Sequence, residues 1–195
     1  MVTEPAVMEL LTRAWEIAAS VPDPELPALT VADLGILREI TLDSGRLVVF
    51  LTPTYSGCPA LYDMRREVAS RLAGAGFAGA EVRAKLSPPW STDLITADGR
   101  RKLAEAGIAP PRSAGSASPG GHDAARGHPG PHWPGTLRKA DGPVPLTLFA
   151  GGPPVACPLC GSADTERTAA FGSTACKDLR RCRACGEPFE HVKEI

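Results

Sequence analysis

Apolar residues recur at helical spacing near the start of the chain, where Val7, Leu10, Leu11, Ala14, Trp15 and Ala18 fall on one stripe at intervals of three and four. The pattern predicts an amphipathic helix over residues 4–19 that packs Trp15 into the core, with Pro5 tolerated in its first turn. "VPDPELP" at 21–27 ends it, because three prolines in seven residues hold an extended loop. Acidic residues between prolines are commonly solvated turn residues, so Asp23 and Glu25 are expected to face water. The period then shortens to two. "GILREITLD" at 35–43 and "RLVVFLT" at 46–52 read as strands joined by the turn Asp43-Ser44-Gly45. The second is continuously apolar, as a central strand should be.

Helical spacing returns after Cys58, with Leu61, Met64, Val68 and Leu72 on one face and Gly74 and Gly76 at the end. Pro59 occupies the place of a first helical residue, which makes Cys58 the cap. "AEVRAKLS" at 80–87 alternates, with Val82, Ala84 and Leu86 expected to face inward. Strand, helix and strand in sequence predict a right-handed parallel crossover. Past Pro88-Pro89-Trp90, Ser91 caps a short helix, and "DGRRKLAEAG" supplies another. Residues 1–107 therefore read as an α/β domain: a small mixed sheet of about three strands with helices.

Composition changes beyond that point. Residues 107–155 hold half of the chain's 20 glycines and 20 prolines and few large apolar side chains, so 108–154 is read as a linker that cannot bury enough surface to order itself. His122, His128 and His132 lie there, where no fixed geometry would hold a metal. "VPLTLF" at 144–149 is the one candidate strand.

Residues 155–195 carry the densest chemistry. Cys157/Cys160 and Cys182/Cys185 are two C-x-x-C pairs, each followed by a glycine, Gly161 and Gly186. Such a turn lets two thiolates reach one ion, and four satisfy tetrahedral zinc. A glycine just beyond permits the positive φ of a tight knuckle. The segment is read as a small zinc-ribbon-like module. Cys176 is the odd thiol. With Cys182 and Cys185 it spells C-x5-C-x2-C, one residue longer than the plant-type ferredoxin run, so an iron–sulfur cluster stands as the rival to structural zinc. Cys176 is then a spare thiol, either structural or taking part in transient cluster or metal transfer.

Cys58, beside Gly57 and between a strand end and a helix start, leaves two readings open. The helix N-terminus would stabilise a thiolate and lower its pKa, or the residue is simply small and packed in a tight turn. No histidine outside the linker other than His191 could pair with it as a base, which argues against a cysteine-protease mechanism. Six cysteines in a chain lacking a basic n-region and apolar h-region favour metal over disulfide and predict a soluble cytoplasmic protein with no membrane span. A net charge of -1 gives no general attraction to polyanions. Lys177, Arg180, Arg181 and Arg183 make the tail locally basic, but without interleaved aromatics or a wider basic face nucleic acid is not the expected partner. No Walker loop, G-x-G-x-x-G or E-x-x-H pair appears.

"DPELP" at 23–27, "DLGI" at 33–36, "TPTYSGCPA" at 52–60 and "PPWSTDLITADGRRKLAEAGIAPP" at 88–111 resemble the small domain of cytosolic iron–sulfur cluster assembly factors (the MIP18-like family). With the tail "CPLCGS…FGSTACKDLRRCRACGEPFEHVK" the resemblance narrows to the PaaD (PaaJ) family of phenylacetate degradation. It implies that Asp23, Glu25 and Cys58 form the functional patch, with Cys58 the reactive thiol. It also implies an accessory role toward the components of the ring 1,2-phenylacetyl-CoA epoxidase, above all its iron–sulfur reductase subunit. The chain would help insert a cluster rather than turn over substrate; a non-catalytic structural component that docks the oxygenase through the zinc module is the alternative, and a homodimer is left open. The tail departs from the expected "ACKALYRC", with Asp178 and Arg180 in place of apolar or aromatic residues, and Val192 stands where a Phe is usual.

Overall fold

The computed structural model describes residues 4–55, 57–112 and 154–194. Most of the expected linker, with its three histidines and the candidate strand at 144–149, lies outside them. Helix α1 (Glu4–Ala19) is followed by strands β1 (Leu37–Asp43) and β2 (Arg46–Leu51), helix α2 (Ala60–Gly74) and strand β3 (Glu81–Ala84). A 3₁₀ turn at Thr92–Leu94 then precedes α3 (Ala97–Glu105) and the two-residue strand β4 (Ile108–Ala109). β5 (Thr165–Ala169), β6 (Lys177–Cys182) and β7 (Pro188–Val192) complete the order.

The first sheet runs β1-β2-β3, with β1 antiparallel and β3 parallel to β2. The apolar run of β2 thus sits in the middle, as its sequence demands. Ser44 (φ 51) and Gly45 (φ 78) both take positive φ, the geometry whose twist suits a two-residue hairpin. α1 packs on β1 and on α2, and α2 on β3, burying Met64, Val68 and Leu72 under the helices and Val49 and Leu51 in the sheet.

Three inward assignments are corrected. Trp15 is 40% exposed. Ala14 and Ala18 are fully buried and define the contact face, and Trp15 stands about 100° around the helix from Ala14. Ala84 is exposed and Leu86 is 65% exposed, because β3 stops at Ala84, before the Pro88-Pro89 break removes any further pairing.

The segment behind the first sheet is locked by close approach. Gly35 has φ +66, and a Cβ there would run into the backbone of Leu94; a Cβ on Gly99 would come within 2.6 Å of the Asp33 carbonyl oxygen. Around these glycines the Thr96 N–H donates to Asp33 O (2.9 Å) and the Trp90 indole N–H donates to Leu34 O (2.8 Å). Lys102 Nζ reaches Asp33 Oδ2 at 2.8 Å, and that pairing holds the Asp33 carboxyl below its ordinary value despite the opposing effect of burial. Leu34, Ile36, Trp90 and Ile95 are thereby fixed as one apolar wall.

The second sheet runs β4-β7-β6-β5. Its antiparallel hairpin β6–β7 is the ribbon, and β4 adds to β7 in parallel through Ile108↔Glu190 and Ala109↔His191. The chain thus crosses from the first sheet into the second immediately after α3. Val192, from the ribbon, is buried within the main core. The smaller residue at this position still fills a packed site.

Candidate functional site

Two sites carry the thiols. In the ribbon, the Sγ atoms of Cys157, Cys160, Cys182 and Cys185 all lie within 4.8 Å of one another. Cys157–Cys185 are 3.9 Å apart and Cys160–Cys182 3.5 Å. A zinc tetrahedron with bonds near 2.3 Å has edges of about 3.8 Å, so the donor set fits that ion. The knuckles form as their glycines predict: Gly161 (φ 76) donates its N–H to Cys157 O and Gly186 (φ 81) to Cys182 O, each at 2.9 Å. The sulfurs compete to hold negative charge. The Ser162 N–H favours the Cys160 thiolate, yet its thiol neighbours, Cys182 foremost, push it up to about 12. Cys182, held by the Cys185 N–H, comes down to about 7. A divalent cation at the centre removes that competition. Cys176 is not part of the tetrad.

The second site is a narrow cleft where the first module meets the ribbon. Its walls include Asp23, Glu25, Thr54, Cys58 and Cys176, over a floor of Leu26, Leu34, Ile36, Met64, Trp90, Ile95 and Val192. The expectation that Asp23 faces water is corrected: it is 6% exposed. Its Oδ1 accepts the N–H groups of Glu25 (2.7 Å) and Leu26 (2.8 Å), so the carboxylate turns back on its own loop. The Asp23 N–H donates to Leu29 O, and Pro22 bridges Thr30, closing the loop on itself. Burial raises the pKa of Asp23. Glu25 is half-buried, and burial followed by the Asp23 charge raises its pKa as well.

Cys58 is half-buried at the mouth of α2. The expected cap is corrected by one residue: α2 begins at Ala60 with Pro59 (φ -66, ψ -32) at its cap and no side-chain cap hydrogen bond, and Cys58 stands just before it. The Ala60 and Leu61 N–H groups and the Thr54 side chain favour its thiolate, as expected of a helix N-terminus. Of the two readings left open for Cys58, the net lowering of its pKa is not the outcome. Burial is the largest influence, Glu25 adds to it, and the Cys58 pKa is raised. The phenol of Tyr55 is raised too, by burial first and then by Cys58, Glu25 and Cys176. Cys58 and Cys176 thus act on one hydroxyl, from opposite modules.

The expected local basicity of the tail is largely neutralised. Lys177 is 2% exposed, with Nζ 2.7 Å from Glu190 Oε2. Arg180 pairs with Asp178 at 3.1 Å and Arg183 with Glu166 at 2.7 Å. Asp178, itself 2% exposed, also lies 3.2 Å from His191 Nδ1. The two polar departures in the tail, Asp178 and Arg180, therefore compensate each other. Sequence reasoning missed Glu190: its Oε1 accepts the Ser173 N–H at 2.7 Å while Oε2 takes Lys177, pinning the loop that carries Cys176. The available signal was the Gly172-Ser173 pair, since a Cβ on Gly172 would sit 2.7 Å from Glu190 Oε1.

Residues 15–84 match the family model described as "Iron-sulfur cluster assembly protein", and residues 141–193 match that described as "PaaD zinc beta ribbon domain". The chain is 37% identical over 181 residues to a putative 1,2-phenylacetyl-CoA epoxidase subunit of Escherichia coli (strain K12), an alignment covering 93% of this chain and 91% of that protein. Among solved structures it is similar to a domain of unknown function, DUF59, from Bacillus anthracis (23% identity, TM-score 0.48, 52% of this chain and 97% of that one). It is also similar to Rv1466 of Mycobacterium tuberculosis, described as associated with Fe-S complex assembly and repair (31% identity, TM-score 0.30, 55% and 94%). Among the described residues, no helix is long and apolar enough to cross a membrane.

Proposed function

The chain belongs to the PaaD family of 1,2-phenylacetyl-CoA epoxidase subunits, and from that premise we propose that it is a cytoplasmic maturation factor which helps insert an iron–sulfur cluster into the reductase component of that epoxidase. The observation that carries this reading is the placement of Cys58, half-buried at a helix mouth in a cleft with Glu25 and, among the described residues, with no histidine lining it. A thiol whose pKa is raised stays protonated in the free protein and is a poor general nucleophile. An arriving iron displaces that proton, which leaves to solvent as the S–H bond is replaced by an S–Fe bond. Handover exchanges that bond for one to a client cysteine, whose thiol proton returns to the Cys58 sulfur, with no change in oxidation state. The Asp23 carboxylate shapes the loop by accepting the Glu25 and Leu26 N–H groups, and Glu25 supplies negative charge beside the sulfur.

The tetrad of Cys157, Cys160, Cys182 and Cys185 would hold zinc. With four protein sulfurs around it, zinc supplies a cross-link between the two knuckles and no open position for chemistry. The reading is tested on the reductase purified from cells lacking this protein. Iron and acid-labile sulfide should be deficient while the polypeptide is present; a fully loaded, active reductase overturns it. A second reading, a structural component that docks through the ribbon, draws on the exposed Leu159 and Phe171 (58% and 66%). Co-purification at fixed ratio with the oxygenase, together with indifference to Cys58→Ser, would favour that alternative.

A further inference from the structure

The cleft around Cys58 has a wall that the first module does not make. Cys176 lines it from the ribbon, more than a hundred residues further along the chain. Its loop is built to present it. Gly172 N–H donates to Lys177 O at 2.8 Å, Ser173 N–H to Glu190 Oε1 at 2.7 Å, and Lys193 N–H to the Cys176 carbonyl at 2.9 Å. The Thr174 hydroxyl lies 3.1 Å from Cys176 Sγ. The ionisable residues lining the cleft are Asp23, Glu25, Cys58 and Cys176. All four become negative on losing a proton, and among the described residues no lysine, arginine or histidine lines the cleft with them. The nearby ammonium, Lys177, is committed to Glu190 at 2.7 Å. A lining with two thiols and a carboxylate, and without a cation among the described residues, is complementary to a positively charged, sulfur-seeking guest.

We propose that Cys176 is the second thiolate of the cargo site, so that ferrous iron, bare or as part of a sulfide-bridged fragment, is held between Cys58 of the first module and Cys176 of the ribbon, with Glu25 beside it. This deepens the maturation reading and rests on it. Among the described residues, only the tetrad brings three or more ligand atoms within 4.8 Å of one another. No three of the cleft donors meet that spacing, as suits a site that releases its guest rather than one that keeps it. Binding replaces two S–H bonds by two S–Fe bonds and sends two protons to solvent, with iron remaining ferrous. The ribbon then does more than dock: it supplies half of the sulfur. Glu190 is a positioning residue for it.

The test uses the full chain, anaerobic and carrying its zinc, titrated with cobalt(II) as a spectroscopic probe and separately with ferrous iron with and without sulfide. The wild type should bind one metal beyond zinc, with thiolate-to-cobalt charge-transfer absorption. Cys176→Ser should keep its zinc and its circular dichroism but show about half of that absorption and an affinity weaker by about tenfold or more. Glu190→Gln should weaken binding while leaving the absorption per bound cobalt unchanged. Binding that needs sulfide identifies the bridged fragment as guest, and binding without it the bare ion; either supports the site. A Cys176→Ser protein indistinguishable from wild type overturns the inference, as does a wild type that binds nothing beyond zinc. Neither outcome touches the reductase test. Conversely, a fully loaded reductase in cells lacking the protein would sink the maturation reading while leaving a measured two-thiol site in place.

Discussion

The tetrad and the cleft use the same side chain to opposite ends. In the tetrad, two glycine knuckles bring four sulfurs within 4.8 Å, and the backbone of each knuckle is closed by its own N–H···O bond. In the cleft, Cys58 and Cys176 arrive from different modules, each steadied by neighbours but not driven together. The first arrangement suits an ion that stays, and on the proposed reading the second holds an ion that passes through. What separates them is how much of the coordination shell is preorganised, since a site complete before the metal arrives retains it more strongly.

The largest effect expected from breaking this contrast falls on the tetrad. Cys182→Ala should abolish zinc retention and unfold the ribbon, because structural zinc contributes on the order of 10 kcal/mol to such modules. Elemental analysis and loss of dispersed ribbon amide resonances check it. Next comes the scaffold behind the cleft. Gly35→Ala puts a side chain at φ +66 against the Leu94 backbone and should cost about 3 kcal/mol in denaturant unfolding. Its zinc should be unaffected.

Lys177→Met leaves Glu190 half-buried without its ammonium and should cost a similar or slightly smaller amount, about 3 kcal/mol. The double variant Lys177→Met/Glu190→Gln should recover part of that loss, which a double-mutant cycle measures.

The smallest effect is a pH dependence. Burial lowers the His191 pKa against the pull of Asp178, so the unfolded chain binds this proton more readily than the folded one. The contribution is constant above the unfolded value of about 6.5 and is lost as pH falls from there toward the lower folded value. His191→Gln should flatten the stability profile across that window.

Local pattern revealed much of this in the sequence. The stripe after Cys58, the hairpin at Asp43-Ser44-Gly45 and the doubled C-x-x-C each depend on near neighbours, and each formed as spacing requires. The failures share a cause. Trp15 and Leu86 have the right period but sit past the edge of the surface that receives them, and a period reports a face without its limits. Asp23 looks solvated between prolines until its loop folds back through the Pro22–Thr30 bridge. The helix end beside Cys58 was visible, whereas the burial and the Glu25 charge that outweigh it came from segments distant in sequence. The meeting of Cys58 and Cys176 left no local mark at all. Their convergence follows from β4 pairing with β7 and from Val192 entering the main core.

The most direct measurement is the metal content of anaerobically purified, iron-exposed protein before and after a mild chelator, with the visible spectrum recorded alongside. The account predicts one zinc per chain that survives the chelator and iron that leaves with it, the iron being absent in Cys58→Ser. Iron and sulfide that persist in a brown protein without zinc would mean that the tetrad carries the cluster, and the division between a lasting site and a passing one would be wrong.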